Sequence, residues 1–225
     1  MNSTMTKFMV VIAIGSLVSG LVLAGTLDPP GPPAPTMVTL QQIYDKLGAP
    51  VIGVAKTGQT GCWDGSGNPI SCAGTGQDGA LQRGVSVSPR FTDNADGTVK
   101  DNLTGLIWLK NANCFGLWTW TQALSAANTL QSPNVTCGLT DGSAAGAWRL
   151  PNLRELHSLI DFGQFNPAFP VSHPFSGVQS NYYWSSTTLP FNPGSAWNVS
   201  LANGYVSNGG KFTNAGYVWP VRGGQ

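Results

Sequence analysis

The sequence predicts an α+β domain of short strands and two helices built around an aromatic core. Two segments repeat apolar residues at helical spacing, while the other apolar runs are short and bounded by turn residues. Gly (29) and Pro (16) are abundant among the 225 residues, which favours turns over long helices. Eight Trp accompany them and are the natural anchors of the core.

Residues 1–24 read as a secretory signal. Lys7 is their only charge, Phe8 to Ala24 is almost continuously apolar, and Val22 and Ala24 suit a cut before Gly25. The rival reading is a membrane anchor, which Gly15, Ser16, Ser19 and Gly20 weaken. No stable membrane span is expected after processing. Cleavage removes Lys7 and leaves ten cations against the 10 Asp plus Glu, a formally neutral mature chain. Charged residues are only 9% of the sequence. So few cations cannot build the basic stripe of a nucleic-acid binder.

Residues 25–36 are a Pro-rich spacer, with Pro29-Pro30-Gly31-Pro32-Pro33 expected as polyproline II. Residues 37–48 predict a short helix capped by Thr36. Its seam of Met37, Leu40, Tyr44 and Leu47 spans about one and a half heptads. The helix either packs on its own domain or acts as an oligomerisation neck.

Residues 57–90 read as a loop-rich module around a disulfide hairpin. Thr57-Gly58-Gln59 and Thr75-Gly76-Gln77 echo each other across it. An even count of four cysteines behind a secretory signal favours disulfides. Of the three pairings, the nearest-neighbour choice joins Cys62 to Cys72 and Cys114 to Cys137. The spacings and two His do not suit zinc.

Residues 91–225 form the main domain. Asp93-Asn94-Ala95-Asp96-Gly97-Thr98-Val99 and Asp101-Asn102-Leu103-Thr104-Gly105-Leu106-Ile107 repeat at a period of eight. They predict a meander of strands 90–92, 98–100 and 106–109 joined by Asx-Gly turns. A helix capped by Thr119 or Thr121 runs through Leu130, with Ala123, Leu124, Ala127 and Leu130 on one face. A second starts at Pro151 and runs to Asp161, burying Leu153, Leu156, Leu159 and Ile160. Residues 162–181 are a long loop, either functional or internally packed. Strand-like runs follow at 182–187, 196–201 and 217–222. Trp108, Trp148, Trp184 and Trp219 sit in element-boundary motifs and are expected in the core. Trp63, Trp118, Tyr182, Tyr183 and Trp197 are free to be core or surface.

Several motifs occur together and in order: Arg90-Phe91-Thr92-Asp93-Asn94, Asp96-Gly97-Thr98-Val99, Thr104-Gly105-Leu106-Ile107-Trp108, Trp148-Arg149-Leu150-Pro151-Asn152, Trp184-Ser185-Ser186-Thr187 and Val218-Trp219-Pro220-Val221-Arg222. This series resembles the bacterial family named for the C-terminal domain of a collagen-like adhesin (Lcl), formerly a domain of unknown function. The resemblance runs from about Gly58 to Gln225. It implies a C-type-lectin-like fold of two helices, a curled antiparallel sheet and long surface loops. It also implies secretion and surface binding, with glycan adhesion in the type member. The chain departs from it in having only Pro29 to Pro35 for a collagen-like region and no basic surface. A Pro-rich spacer before a short seam also resembles the stalk and neck of collagen-bearing lectins, which favours a homo-oligomer, specifically a trimer.

Three chemistries find candidate residues in the sequence. Asp93, Asn94, Asp96 and Asp101 crowd hard oxygen ligands into nine residues and are the candidate calcium set. Turn formation explains the same run without metal, so no cofactor is required. An EF-hand register would place Thr92 first and Leu103 twelfth, which rejects that motif. Glu155, the only Glu, and His157 are two residues apart and face different sides of a helix. No G-x-S-x-G elbow or other nucleophile–base set accompanies them, and a non-enzyme is expected. Tyr182, Tyr183, Trp197 and Asn198 are the candidate ligand-binding residues, since exposed aromatics stack on sugars and Asn bonds their hydroxyls. The expected function is a non-catalytic binding module for a glycan or a surface protein. It is secreted, extracellular or on the cell surface, with the periplasm as the other compartment. The alternative is a structural subunit of an extracellular homo-oligomer.

Overall fold

The repeated Asx-Gly turns close a small antiparallel sheet. β3 (Phe91–Asp93), β4 (Thr98–Asp101) and β5 (Ile107–Leu109) form it in register, after a hairpin of β1 (Cys62–Trp63) and β2 (Pro69–Ile70). Phe91 faces Asp101, and Val99 faces Trp108. Gly97 turns between β3 and β4 at φ +84, and a Cβ there would strike the Gly138 carbonyl. The position therefore requires glycine twice over. The computed structural model describes residues 53–223. They lie in one compact unit, Val51–Gln225. The signal, the spacer and the neck fall outside the described residues.

The sheet's fourth strand comes from the far end of the chain. β6 is Leu117–Trp118, β7 Tyr182–Thr188, β8 Ser195–Ser200, β9 Val206–Gly210, β10 Gly216–Tyr217 and β11 Val221–Arg222. β11 completes the four-stranded order β11-β5-β4-β3, while a five-stranded sheet runs β6-β10-β7-β8-β9. In the latter only β10 and β7 are parallel. The expected single strand 217–222 is thus two strands in two sheets. Pro220 has no N–H to continue a ladder, yet its carbonyl accepts from the Leu109 N–H at 3.1 Å. Val218 and Trp219, fully buried, fill the seam between the sheets.

Among the described residues three helices accompany the strands. α1 (Asp78–Leu81) is a single turn inside the segment expected to be loop. α2 (Trp120–Thr129) starts where expected: the Gln122 side-chain oxygen accepts from the Thr119 N–H at 3.1 Å. α3 (Leu153–His157) is shorter than expected. Asn152 and Glu155 form its capping box, so Pro151 precedes the cap instead of filling the first turn. The helix stops because the Ile160 N–H tightens onto the His157 carbonyl, and the Asp161 N–H then turns to Ala168. Leu156, Leu159 and Ile160 are buried all the same.

The molecule is α+β and mostly β, in place of the single antiparallel sheet with two helices. β7 and β8 are covered on both faces. Tyr183, Val199 and Leu201 join the larger core with Leu156 and Trp219, while Trp184 and Ala196 pack with Ala123 and Ala127 of α2. Trp108, Trp148, Trp184 and Trp219 are all buried, as expected. The long loop 162–181 is internally packed. Its Ala168, Phe169 and Phe175 are buried, and Phe175 meets Trp219 edge-on at 5.0 Å.

Both disulfides are the nearest-neighbour pairs, Cys62–Cys72 and Cys114–Cys137. The second closes a separation of 23 residues. Replacing Cys114 and Cys137 by Ser should lower stability by about 3 kcal/mol through the freed unfolded chain. Urea unfolding of oxidised protein and double variant checks this, and coincident midpoints would refute it.

Candidate functional site

The four candidate ligand residues divide between the two faces of β7 and β8. Strand alternation and the pairs Tyr182↔Ser200, Tyr183↔Val199 and Trp184↔Asn198 decide this. Tyr183 and Trp197 lie on the face of Val199. Tyr183 is fully buried against Trp219, at 5.5 Å between ring centroids, and against Tyr217 at 5.3 Å. Its hydroxyl accepts from the Gln179 N–H at 2.9 Å, and burial pushes its ionisation well above the ordinary range. Tyr183 is therefore a core residue and is withdrawn from the site. Trp197 is half-buried on the same face, beside Asn208.

Tyr182 and Asn198 share the opposite face, and a residue not singled out in the sequence joins them. Tyr205 stands one position before β9, and its carbonyl accepts from the Ser200 N–H at 2.8 Å. The adjacent pair is Val199↔Val206. Tyr182, Ser200 and Tyr205 thus form one row across three strands. The two tyrosines are 40% and 61% exposed and stand roughly 10 Å apart, two interstrand spacings. Asn198, between Trp184 and Ser207 in the following row, is 7% exposed, and its unpartnered Oδ1 is itself buried on the face that α2 covers. Ser200 Oγ accepts from the Ala202 N–H at 3.3 Å, which leaves its hydroxyl proton free to donate. Only Tyr205's position, after Asn203-Gly204, could have drawn attention to it: a strand entered from a turn exposes its first side chain.

The candidate calcium residues do not converge. Asp93 pairs with Lys110 at 2.6 Å and accepts from the Ala95 N–H. The Lys110 ammonium and that N–H hold its carboxyl below the ordinary range. Asp96 accepts from Thr98, and the Asn94 amide donates to Thr98 Oγ1 at 2.8 Å. Asp101, fully buried, takes both arms of the Arg90 guanidinium at 2.8 and 2.9 Å. These side chains form turns and ion pairs, and among the described residues no three His, Cys, Asp or Glu group to hold a metal ion.

The acid–base residues are similarly engaged. Burial opposes ionisation of Glu155, but Arg149 at 2.7 Å and the Asn152 N–H outweigh it and lower its pKa. A lowered carboxylate pKa adds stability above the unfolded value of 4.5, lost as pH falls through the folded value. Glu155→Gln should therefore lower stability at neutral pH by under about 1 kcal/mol, since the pair is partly solvated, and flatten the acid limb. Thermal melts across pH check it; a steeper acid limb in the variant would refute it. His157 packs edge-on to Phe162 at 5.7 Å, and His173 on Phe169 at 4.8 Å. Burial lowers the pKa of His173.

Hollows among the described residues lie elsewhere. One of about 490 Å³ is bounded by Val54–Thr57, α3, Phe162 and Val206. A more polar one of about 440 Å³ holds Lys110, Asn111, Thr136 and Ser176. Neither contains a candidate ligand residue.

A family model described as the Lcl C-terminal domain matches residues 97–222, more than half of the chain. No curated protein and no solved structure gives a significant match.

Proposed function

This chain belongs to the Lcl C-terminal domain family, and from that premise we propose a non-catalytic binding module, secreted or at the cell surface. Membership suggests an adhesin-like extracellular role, and the paired cysteines agree with an oxidising compartment. We read the α+β fold as C-type-lectin-like, with residues 1–24 as the signal that exports it. The ligand is a glycan or a surface protein. The observation that carries this reading is the pair of exposed tyrosines, Tyr182 and Tyr205, at the two sides of one row of the five-stranded sheet. The ion-paired carboxylates Asp93, Asp101, Asp141 and Glu155, by contrast, are committed to cations, which favours recognition over acid–base chemistry.

Labelled full-length protein on immobilised extracellular matrix tests this. Saturable retention, competed by unlabelled protein, is expected; linear, uncompeted adsorption would contradict it.

The second reading, a homo-oligomeric subunit, rests on the sequence seam Met37, Leu40, Tyr44 and Leu47. Sedimentation at micromolar concentration should then give a trimer that Leu40→Asp with Leu47→Asp dissociates. A monomer boundary for the unaltered chain would end that reading.

A further inference from the structure

We infer that the hollow beside α3 is a second binding site, for a small amphipathic carboxylate: one anionic head on an apolar body. Its volume of about 490 Å³ falls within the range of small-ligand sites, roughly 300–1,000 Å³. The lining has an apolar part and a basic part. Leu153, Ile160, Phe162 and Val206 supply the first. Lys56 and Arg154 supply cations, and His157 an imidazole. No Asp or Glu lines the hollow, although the chain has 10 of them.

The helix sorts these groups. Leu153, Arg154, His157 and Ser158 line the hollow from one side of α3, as residues four apart must share a side. Leu156 and Leu159 turn into the core, and Glu155 turns to Arg149 at 2.7 Å. The basic side chains therefore border the hollow while the helix's carboxylate is engaged elsewhere. Main-chain bonds fix the remaining walls. The Lys56 N–H donates to the Val85 carbonyl at 3.0 Å, and the Phe162 N–H to the Thr57 carbonyl at 2.7 Å. Gly204 lies so close to Ile160 and Phe162 that a Cβ there would stand 2.7 and 2.9 Å from their side chains. The site is thus formed before any ligand arrives.

Charge decides the class of ligand. Among the described residues neither Lys56 nor Arg154 has a carboxylate within ion-pair reach. Asp161, next in the chain to Ile160, accepts from the Gly163 N–H at 2.8 Å and lines a neighbouring hollow instead. In the more polar hollow, by contrast, Lys110 is already paired with Asp93. An anionic head beside α3 would gain charge-assisted contacts from Lys56 and Arg154. Its apolar body would cover Leu153, Phe162 and Val206. A cationic ligand would be repelled, and a sugar would leave both the cations and the apolar wall unmatched.

Calorimetric titration of the full chain with decanoate tests this, with decanol and decyltrimethylammonium as the uncharged and cationic probes of equal chain length. The expected result is saturable decanoate binding, about tenfold weaker binding of decanol and none of the cation. Arg154→Gln should weaken decanoate about tenfold. Arg154→Lys, which keeps the charge, and Lys100→Gln, in the other sheet, should stay within about twofold. Phe162→Ser should weaken decanoate and decanol alike, each about fivefold. Arg154 and Phe162 are both exposed, so these variants should unfold at the parent's urea concentration. No saturable decanoate binding, equal binding of the three probes, or indifference to Arg154→Gln overturns the inference. Retention on matrix is a separate readout, which Arg154→Gln should leave unchanged. Its loss in that variant would make the hollow part of a macromolecular surface and end the small-ligand assignment.

Discussion

Trp219→Ala should lower stability by about 3–5 kcal/mol. Trp219 is fully buried, and its Nε1 donates to the Leu109 carbonyl at 2.8 Å. Its ring packs on Trp108 at 5.4 Å, Phe175 at 5.0 Å and Tyr183 at 5.5 Å. It therefore joins the four-stranded sheet, the five-stranded sheet and the loop 162–181 at one point. Alanine would leave a large cavity and an orphaned carbonyl together. A domain of ordinary stability, roughly 5–15 kcal/mol, would lose a large share of it. Equilibrium urea unfolding gives the figure. A loss under about 1 kcal/mol, the range of surface substitutions, would show that the tryptophan is not the joint between the sheets.

The second large effect belongs to Asp101. Its side chain is wholly buried, takes both arms of the Arg90 guanidinium and accepts from the Leu103 N–H at 2.9 Å. Arg90 also donates to the Ser158 carbonyl and lies over the Phe91 ring. Asp101→Ala strands a mostly buried guanidinium, a loss of about 3–5 kcal/mol. The double replacement Arg90→Met with Asp101→Leu removes both charges and should recover most of it. A double variant no more stable than Asp101→Ala would contradict the ion-pair account. A melting temperature of the unaltered chain that drops on adding EDTA would restore Asp101 as a metal ligand.

These two residues also show what was legible in the sequence. The Trp219 motif announced a core tryptophan because aromatics at element boundaries usually pack inward, and it is fully buried. Local spacing groups Asp101 with Asp93 and Asp96, because it shows only their shared oxygen chemistry. It cannot show that Arg90, eleven residues away, would reach Asp101 across the β3–β4 pair. The turns at Gly97 and Gly105, the capped start of α2 and both disulfides were readable, since each depends on nearby residues or on simple pairing.

The five-stranded sheet was less readable. β7 and β8 are buried on both faces, so polarity does not alternate along them, and the side each residue takes comes only from pairing. That is why Tyr183 looked equivalent to Tyr182. β6 and β10 are two residues each, too short for any period, and β9 is Val-Ser-Asn-Gly-Gly, a composition that reads as a turn. Tyr205, one position before it, carries no stronger strand signal. Tyr182 was therefore legible in the sequence, and Tyr205, which enters a Gly-rich strand, was not.

The most direct measurement compares retention on immobilised matrix of the full chain with that of the Tyr182→Ala, Tyr205→Ala double variant. Both tyrosines are substantially exposed, so the variant should unfold at the same urea concentration as the parent. The expected result is saturable retention of the parent and at least a tenfold weaker retention of the variant. Equal retention of two equally stable proteins would contradict it and place the binding surface elsewhere on the molecule.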